Sequence, residues 1–153
     1  MSEKRRVLFV CTHNSARSQM AEGFVRHYAA DRFEAFSAGT EATAVRHEAI
    51  RVMGELGIDI SRQESKTVER YIGEPFEWVI TVCDRARQSC PVFPGAESTA
   101  HWGFDDPADA EGTEEQRLQV YRRVRDEINA RVKMFVLAGG RSDVASPSAM
   151  TLG

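Results

Sequence analysis

Residues 5–20 read RRVLFVCTHNSARSQM, a predicted strand, a polar loop and the start of a predicted helix. A short apolar run, Val7 to Val10, leads directly into Cys11 and is typical of a buried strand. Five residues separate Cys11 from Arg17, and a helical pattern then begins at Ser18. A strand, a polar loop and a helix in this order form the first half of a unit in which helices connect parallel strands.

The alternation of strands and helices continues along the chain. The further predicted strands are 33–39, 77–82 and 99–104, and the predicted helices are 18–30, 47–57 and a last one that runs from a capping box at Thr113 and Gln116 to about Val136. We therefore predict an α/β fold, a single-domain, doubly wound sheet of about four parallel strands with helices on both faces. The domain is expected to span 1–137, followed by a flexible tail, 138–153, rich in Gly, Ser and Ala.

Composition narrows the classes of function. The chain has 153 residues, a formal net charge of -3 and no block of basic residues, so we expect no nucleic-acid partner. It has no apolar stretch of about 18 residues, the length that a membrane helix needs. We expect a cytoplasmic monomer that does not bind membranes.

The chain has three cysteines, Cys11, Cys83 and Cys90. An odd number argues against a framework of structural disulfides in a reducing compartment. The three thiols are therefore buried and structural, metal-binding, or reactive. The sequence pattern alone leaves these alternatives open.

Cys11 stands where a parallel sheet places its functional residues, at the carboxyl end of a strand. The helix that follows presents free N–H groups and the positive end of its dipole, which favour an anion. With Arg17 nearby, the same field stabilises a thiolate. Arg17 suits a tetrahedral oxyanion because its planar guanidinium donates two parallel hydrogen bonds. Ser18 is placed to donate another to the sulfur.

The motif VLFVCTHNSARSQMAEGF resembles the oxyanion loop of the low-molecular-weight protein tyrosine phosphatase fold, in which a cysteine and five residues precede an arginine and a serine. Three further motifs, FSAGT at 36–40, VITVCDRARQSCPVFPG at 79–95 and HWGFDDPA at 101–108, narrow the resemblance. They are similar to the thioredoxin-coupled arsenate reductases that share this fold. The resemblance covers about residues 6 to 136.

This resemblance implies a set of roles. Arsenate binds in the loop, whose residues are Thr12, His13, Asn14, Ser15, Ala16, Arg17 and Ser18. Cys11 attacks arsenic while Asp106 serves as general acid, although an Asp-Pro pair that only forms a turn fits Asp106 and Pro107 equally well. Cys83 and then Cys90 pass the resulting disulfide outward to reduced thioredoxin. No bound cofactor is implied, and glutathione or mycothiol systems are the alternative donors.

The sequence departs from the family at the loop and behind it. His13 and Ala16 stand where glycine and cysteine are common, and we interpret His13 as a loop residue that faces solvent rather than a general base. Some family members hold a potassium ion with an asparagine, a glutamate, a serine and an aspartate. Three of these match Asn14, Glu22 and Ser37, but alignment of DISRQESK puts Lys66 at the aspartate. We expect the Lys66 ammonium to replace the potassium ion among them.

Three rival functions remain. A phosphatase acting on phosphotyrosine or small phosphoesters needs Cys11, Arg17 and Asp106 but neither Cys83 nor Cys90. A zinc module built from the cysteines with His13 or His101 lacks the close CxxC pairs that structural zinc sites favour. A redox or arsenic sensor without catalysis needs a partner surface that the sequence does not indicate.

Overall fold

A computed structural model describes residues 4–82 and 92–140 of the chain. The strands are β1 (Arg5–Cys11), β2 (Phe33–Gly39), β3 (Phe76–Thr81) and β4 (Ala96–His101), and the helices are α1 (Arg17–Ala29), α2 (His47–Gly54) and α3 (Glu114–Leu137). Two short 3-10 helices, Val68–Arg70 and Pro107–Asp109, lie in the connections. Residues 141–153, which include most of the predicted tail, lie outside the described residues.

The strands form one parallel sheet in the order β2-β1-β3-β4. The chain moves from β1 to β2 on one side and then crosses to β3 on the other, so the order reverses between β1 and β3. Cys11 pairs with Gly39 at the carboxyl end of this sheet. The predicted fold is confirmed, and Cys11 lies at the switch point where such sheets bind ligands.

Both faces of the sheet are covered. Phe9 of β1 contacts the Trp102 ring, which in turn contacts Phe135 of α3, so α3 covers this face. Neighbouring strand residues point to opposite faces, so Leu8 and its partner Phe36 face the other side. There Phe36 packs on Tyr71, directly after the first 3-10 helix.

Two predicted elements differ from the structure by three residues, and the other boundaries agree to within two. The fourth strand was expected at 99–104 but spans Ala96–His101, because its first residues are small and polar and pair with β3 at the sheet edge without an apolar signal. The regular part of α2 ends at Gly54 rather than at Gly57. Gly57 still terminates it, since Ile58 N–H donates to the Met53 carbonyl around a left-handed Gly57 with φ of 78°.

Replacing Gly39 by alanine is expected to lower the free energy of unfolding by about 1–3 kcal/mol, the usual cost of overpacking. A Cβ there would lie 2.5 Å from the Glu41 carbonyl oxygen and 2.7 Å from both Asn14 N and Thr12 O. These are backbone atoms of the loop after Cys11 and of the segment beside it, so they cannot rotate away. Denaturant unfolding measures the change.

Gly54→Ala is the matched control, because a Cβ at this helical position meets nothing within 4 Å. It is expected to raise the free energy of unfolding by about 0.5–1 kcal/mol through helix propensity. Equal stability of the two variants would contradict the close packing assigned to Gly39.

Candidate functional site

The Cys11 side chain lies in the loop that joins β1 to α1. It is 1% exposed, and its Sγ is 2.8 Å from Ser18 Oγ in the first turn of α1. Helix α1 begins at Arg17 after Ala16, which makes no side-chain cap, so its first N–H groups remain available to a ligand. The predicted contact between Ser18 and the sulfur is present.

Asn14 is a second hydrogen-bond partner of the Ser18 hydroxyl. Its Oδ1 accepts from the backbone N–H of Lys66 at 2.8 Å, and because a backbone N–H can only donate, this fixes the orientation of the amide. Asn14 Nδ2 therefore donates to Ser18 Oγ, also at 2.8 Å. The hydroxyl hydrogen of Ser18 is not used in this contact and remains able to donate to Cys11 Sγ.

Gln19 supports this arrangement and was not predicted from the sequence. It is fully buried, and its Nε2 donates to the backbone oxygen and to Oδ1 of Asn14 and to the Glu64 carbonyl. Gln63 in turn donates to Gln19. A glutamine beside Met20 on the inner face of a helix was the available signal, since buried amides need partners.

Arg17, at the end of the loop, is paired with Asp106. Arg17 is buried, and its NH1 donates to the Phe104 carbonyl at 3.2 Å while NH2 lies 3.3 Å from Asp106 Oδ2. Asp106 Oδ1 accepts from Ala108 N at 3.0 Å and caps the second 3-10 helix. One carboxylate oxygen thus forms the predicted turn and the other faces Arg17, while the role of Asp106 as general acid stays a prediction.

Asp105 faces away from this arginine. Its side chain is 77% exposed and lies 3.3 Å from Arg123 of α3, whereas the Asp106 side chain is 25% exposed. The structure therefore distinguishes the two adjacent aspartates, since Asp106 lies beside Arg17 and Asp105 beside Arg123.

Glu22 and Ser37 meet behind the loop, as expected. Ser37 Oγ donates to Glu22 Oε1 at 2.5 Å, and Glu22 Oε2 pairs with Arg26 one turn along α1. Burial raises the pKa of Glu22, while Ser37, Arg26 and the charge of Lys66 act against this rise. Arg26 was not predicted as a partner, although it lies four residues after Glu22 on the same helix.

The Lys66 ammonium makes a different hydrogen bond from the contacts expected with Asn14, Glu22 and Ser37. It donates to the Glu64 carbonyl, while the Lys66 backbone N–H makes the contact with Asn14. Burial lowers the pKa of Lys66, and the nearby Glu22 charge counteracts that. The Arg26 guanidinium and the Lys66 ammonium supply positive charge around Glu22, and we therefore expect that no potassium ion is needed there.

His13 lies at the rim of the loop and its side chain is partly exposed, as interpreted from the sequence. Its Nε2 is 3.2 Å from Glu41 Oε2, and its carbonyl accepts from Ser65 Oγ. The carbonyl of Thr12 accepts from Glu41 N–H at 2.9 Å, so the residues after β2 brace the loop from outside.

Cys83 and Cys90 lie outside the described residues, so the predicted relay is not tested by the structure. Val82, the last described residue before them, donates its N–H to the Val10 carbonyl at 2.9 Å. At Val82 the chain therefore lies at the carboxyl end of the sheet, the same end as Cys11. Within 4–82 and 92–140, no cluster of His, Cys, Asp and Glu suited to a metal ion occurs. Neither does that part of the chain contain a helix of the length and apolarity that a membrane crossing requires.

Residues 6–145 match the family model described as low molecular weight phosphotyrosine protein phosphatase. The chain belongs to this family. The loop, the buried Arg17 and the Asp106 carboxylate are thus found on the fold that the sequence motifs indicated.

Several proteins similar to this chain are arsenate reductases. The chain is 48% identical over 136 residues to an arsenate reductase of Shouchella clausii, covering 89% of this chain and 98% of that protein. A solved arsenate reductase in the phosphate binding state superimposes with a TM-score of 0.76 at 35% identity, over 88% of this chain and 98% of the other. A thioredoxin-dependent arsenate reductase of Corynebacterium glutamicum gives a TM-score of 0.64 at 26% identity, over 90% of this chain and 62% of that one. The resemblance identified from the sequence is confirmed.

Exchanging sodium for potassium at constant ionic strength is expected to leave the affinity of the protein for phosphate unchanged. The reason is that Arg26 and Lys66 already provide positive charge around Glu22, so a monovalent cation has no favourable place there. Calorimetric titration of phosphate in each salt measures the affinity. A several-fold gain in potassium would contradict the prediction.

Proposed function

We propose that the protein is a cytoplasmic arsenate reductase that converts arsenate to arsenite through Cys11, Cys83 and Cys90 and is regenerated by reduced thioredoxin. The observation that carries the proposal is the Cys11 sulfur held by Ser18 at 2.8 Å, with Arg17 and Asp106 paired across the loop. The arsenate reductases among its relatives support the same substrate.

Binding of arsenate changes the partners of Arg17. The loop N–H groups and the Arg17 fork hold the oxyanion, which draws the guanidinium away from Asp106. A neighbouring dianion favours the protonated form of a carboxyl group, so Asp106 becomes a proton donor as the substrate arrives. The Cys11 thiolate attacks arsenic, and Asp106 protonates the departing oxygen, which is released as water. The product is an arseno-cysteine adduct.

The reduction needs two electrons, which two thiols supply by forming one disulfide. Cys83 thiolate attacks the Cys11 sulfur, the sulfur–arsenic bond breaks, and its electron pair stays with arsenic, which leaves as arsenite. Cys90 then attacks Cys83, releasing the Cys11 thiolate and leaving a Cys83–Cys90 disulfide. Thioredoxin reduces this disulfide, and the thioredoxin-dependent relative from Corynebacterium glutamicum supports this choice of donor.

A phosphatase that acts on phosphotyrosine or on small phosphoesters is the second candidate. Family membership favours it, and its chemistry requires only Cys11, Arg17 and Asp106. The presence of Cys83 and Cys90 favours the reductase, because phosphoester hydrolysis has no use for them.

Coupled oxidation of NADPH tests the proposal. With thioredoxin and thioredoxin reductase, the protein is expected to oxidise NADPH only when arsenate is added, with one NADPH consumed per arsenite formed. Rapid hydrolysis of an aryl phosphate without arsenate-dependent oxidation would contradict the reductase and favour the phosphatase.

Asp106→Asn is expected to slow arsenate reduction by about 10²- to 10⁴-fold, the usual contribution of a general acid. Asparagine keeps the oxygen that caps the 3-10 helix at Ala108, so the fold and phosphate affinity should be retained. Single-turnover kinetics and phosphate calorimetry provide the two readouts.

Asp105→Asn is the matched control, because Asp105 pairs with Arg123 on the outside. It is expected to keep wild-type turnover. Full activity in Asp106→Asn, with loss of activity in Asp105→Asn, would contradict this assignment and show that Asp105 is the general acid.

The relay predicts a different end state for each cysteine variant. Cys90→Ser should complete about one turnover and stop as a Cys11–Cys83 disulfide, because no thiol remains to free Cys11. Cys83→Ser should stop at the arseno-cysteine, and Cys11→Ser should not react. Peptide mapping after one addition of arsenate identifies these products. Steady turnover of Cys90→Ser with thioredoxin would contradict the three-thiol relay.

A further inference from the structure

An open cleft of about 500 Å³ lies directly outside the Cys11 loop. His13 and Ser15 of the loop form one wall, and residues 43–47 before and at the start of α2 form the other. The Arg46 backbone N–H donates to the Ser15 carbonyl at 2.9 Å, which joins the two walls. The cleft is therefore continuous with the proposed substrate loop.

The cations around this cleft are not equivalent. His13 lies 3.2 Å from Glu41, and His47 lies 3.3 Å from Glu48. Inside the loop, Arg17 already faces Asp106. The exposed Arg46 side chain has neither an ion pair nor a hydrogen bond within 4–82 and 92–140. Among the described residues that line this cleft, its guanidinium is thus a cation without a carboxylate in ion-pair contact, which leaves it able to bind an incoming anion.

The charges of Arg46 and Asp106 both influence the buried Tyr121 hydroxyl. Burial, followed by the charge of Glu48, raises the pKa of this tyrosine to about 12, with Arg46 lowering and Asp106 raising it. Arg46 directly precedes α2, and Asp106 lies in the connection before α3.

We propose that this cleft is an outer binding site for a doubly charged oxyanion, anchored by the Arg46 guanidinium, from which the anion passes into the Cys11 loop. The planar fork of arginine suits such an oxyanion. A cation at the mouth of a cleft raises the local concentration of anions and hence their rate of entry. The inference rests on the proposed oxyanion role of the loop but not on the reduction of arsenate.

Alkylation of Cys11 by two reagents that differ in charge tests this role without arsenate. Iodoacetate is an anion and iodoacetamide is neutral, and mass spectrometry of the Cys11 peptide separates its reaction from those of Cys83 and Cys90. At low ionic strength, Arg46→Gln is expected to lower the iodoacetate rate about 3- to 10-fold and to leave the iodoacetamide rate unchanged. Arg46→Lys should keep most of the preference, and about 0.5 M salt should remove the difference.

Arg32→Gln is the control, because it removes the same charge from an exposed side chain beside the start of β2, at the other end of the strands. It should leave the ratio of the two rates at its wild-type value. An equal ratio in Arg46→Gln and Arg32→Gln would overturn the proposal. An equal fall of both rates in Arg46→Gln would overturn it as well, since that result indicates a disturbed loop. The alkylation experiment uses no arsenate, so its result can be interpreted even if arsenate-dependent NADPH oxidation is not observed. The proposed outer site and the proposed arsenate reduction are therefore tested independently.

Discussion

A chain of hydrogen bonds from the Lys66 backbone through Asn14 and Ser18 to the Cys11 sulfur is the constraint on which the site depends. The Lys66 N–H fixes the orientation of the Asn14 amide, the amide donates to the Ser18 hydroxyl, and the hydroxyl hydrogen remains able to donate to Sγ. Asn14 adopts a left-handed backbone conformation with φ of 50°, which asparagine tolerates better than most residues with a side chain. Its three side-chain contacts, each contributing about 0.5–1.5 kcal/mol, stabilise it there.

The fold supplies the fixed points of this chain. Strand β1 lies inside the sheet between β2 and β3, so Cys11 starts from a rigid position. Gly39 at the end of β2 leaves room for the loop backbone and donates its N–H to the Lys66 carbonyl at 2.8 Å. The segment that carries Lys66 is thereby attached to the sheet edge. Arg17 and Asp106 then approach the loop from α1 and from the connection after β4.

The part of the site that sequence analysis predicted is the part that is local in the chain. Cys11, Arg17 and Ser18 lie within eight residues, and the strand and helix that hold them have clear apolar periods. The supporting contacts were missed because they join distant residues, such as Gln19 with Glu64 and Lys66 with Asn14. The start of β4 was missed for a different reason, since Ala96, Glu97 and Ser98 pair through their backbone and carry no apolar pattern. Asp106 came from resemblance to a family, and its pairing with Arg17 needed the structure.

The most direct test of this account is the rate at which iodoacetamide alkylates Cys11 in Ser18→Ala, measured at neutral pH on the folded protein. Loss of a hydrogen bond to a charged sulfur, worth about 1.5–3 kcal/mol, predicts a rate about ten-fold or more below that of the wild type. Ser15→Ala, in the same loop but without a contact to the sulfur, should react at the wild-type rate. An unchanged rate in Ser18→Ala would contradict the account, because the hydrogen-bond chain would then end without acting on Cys11.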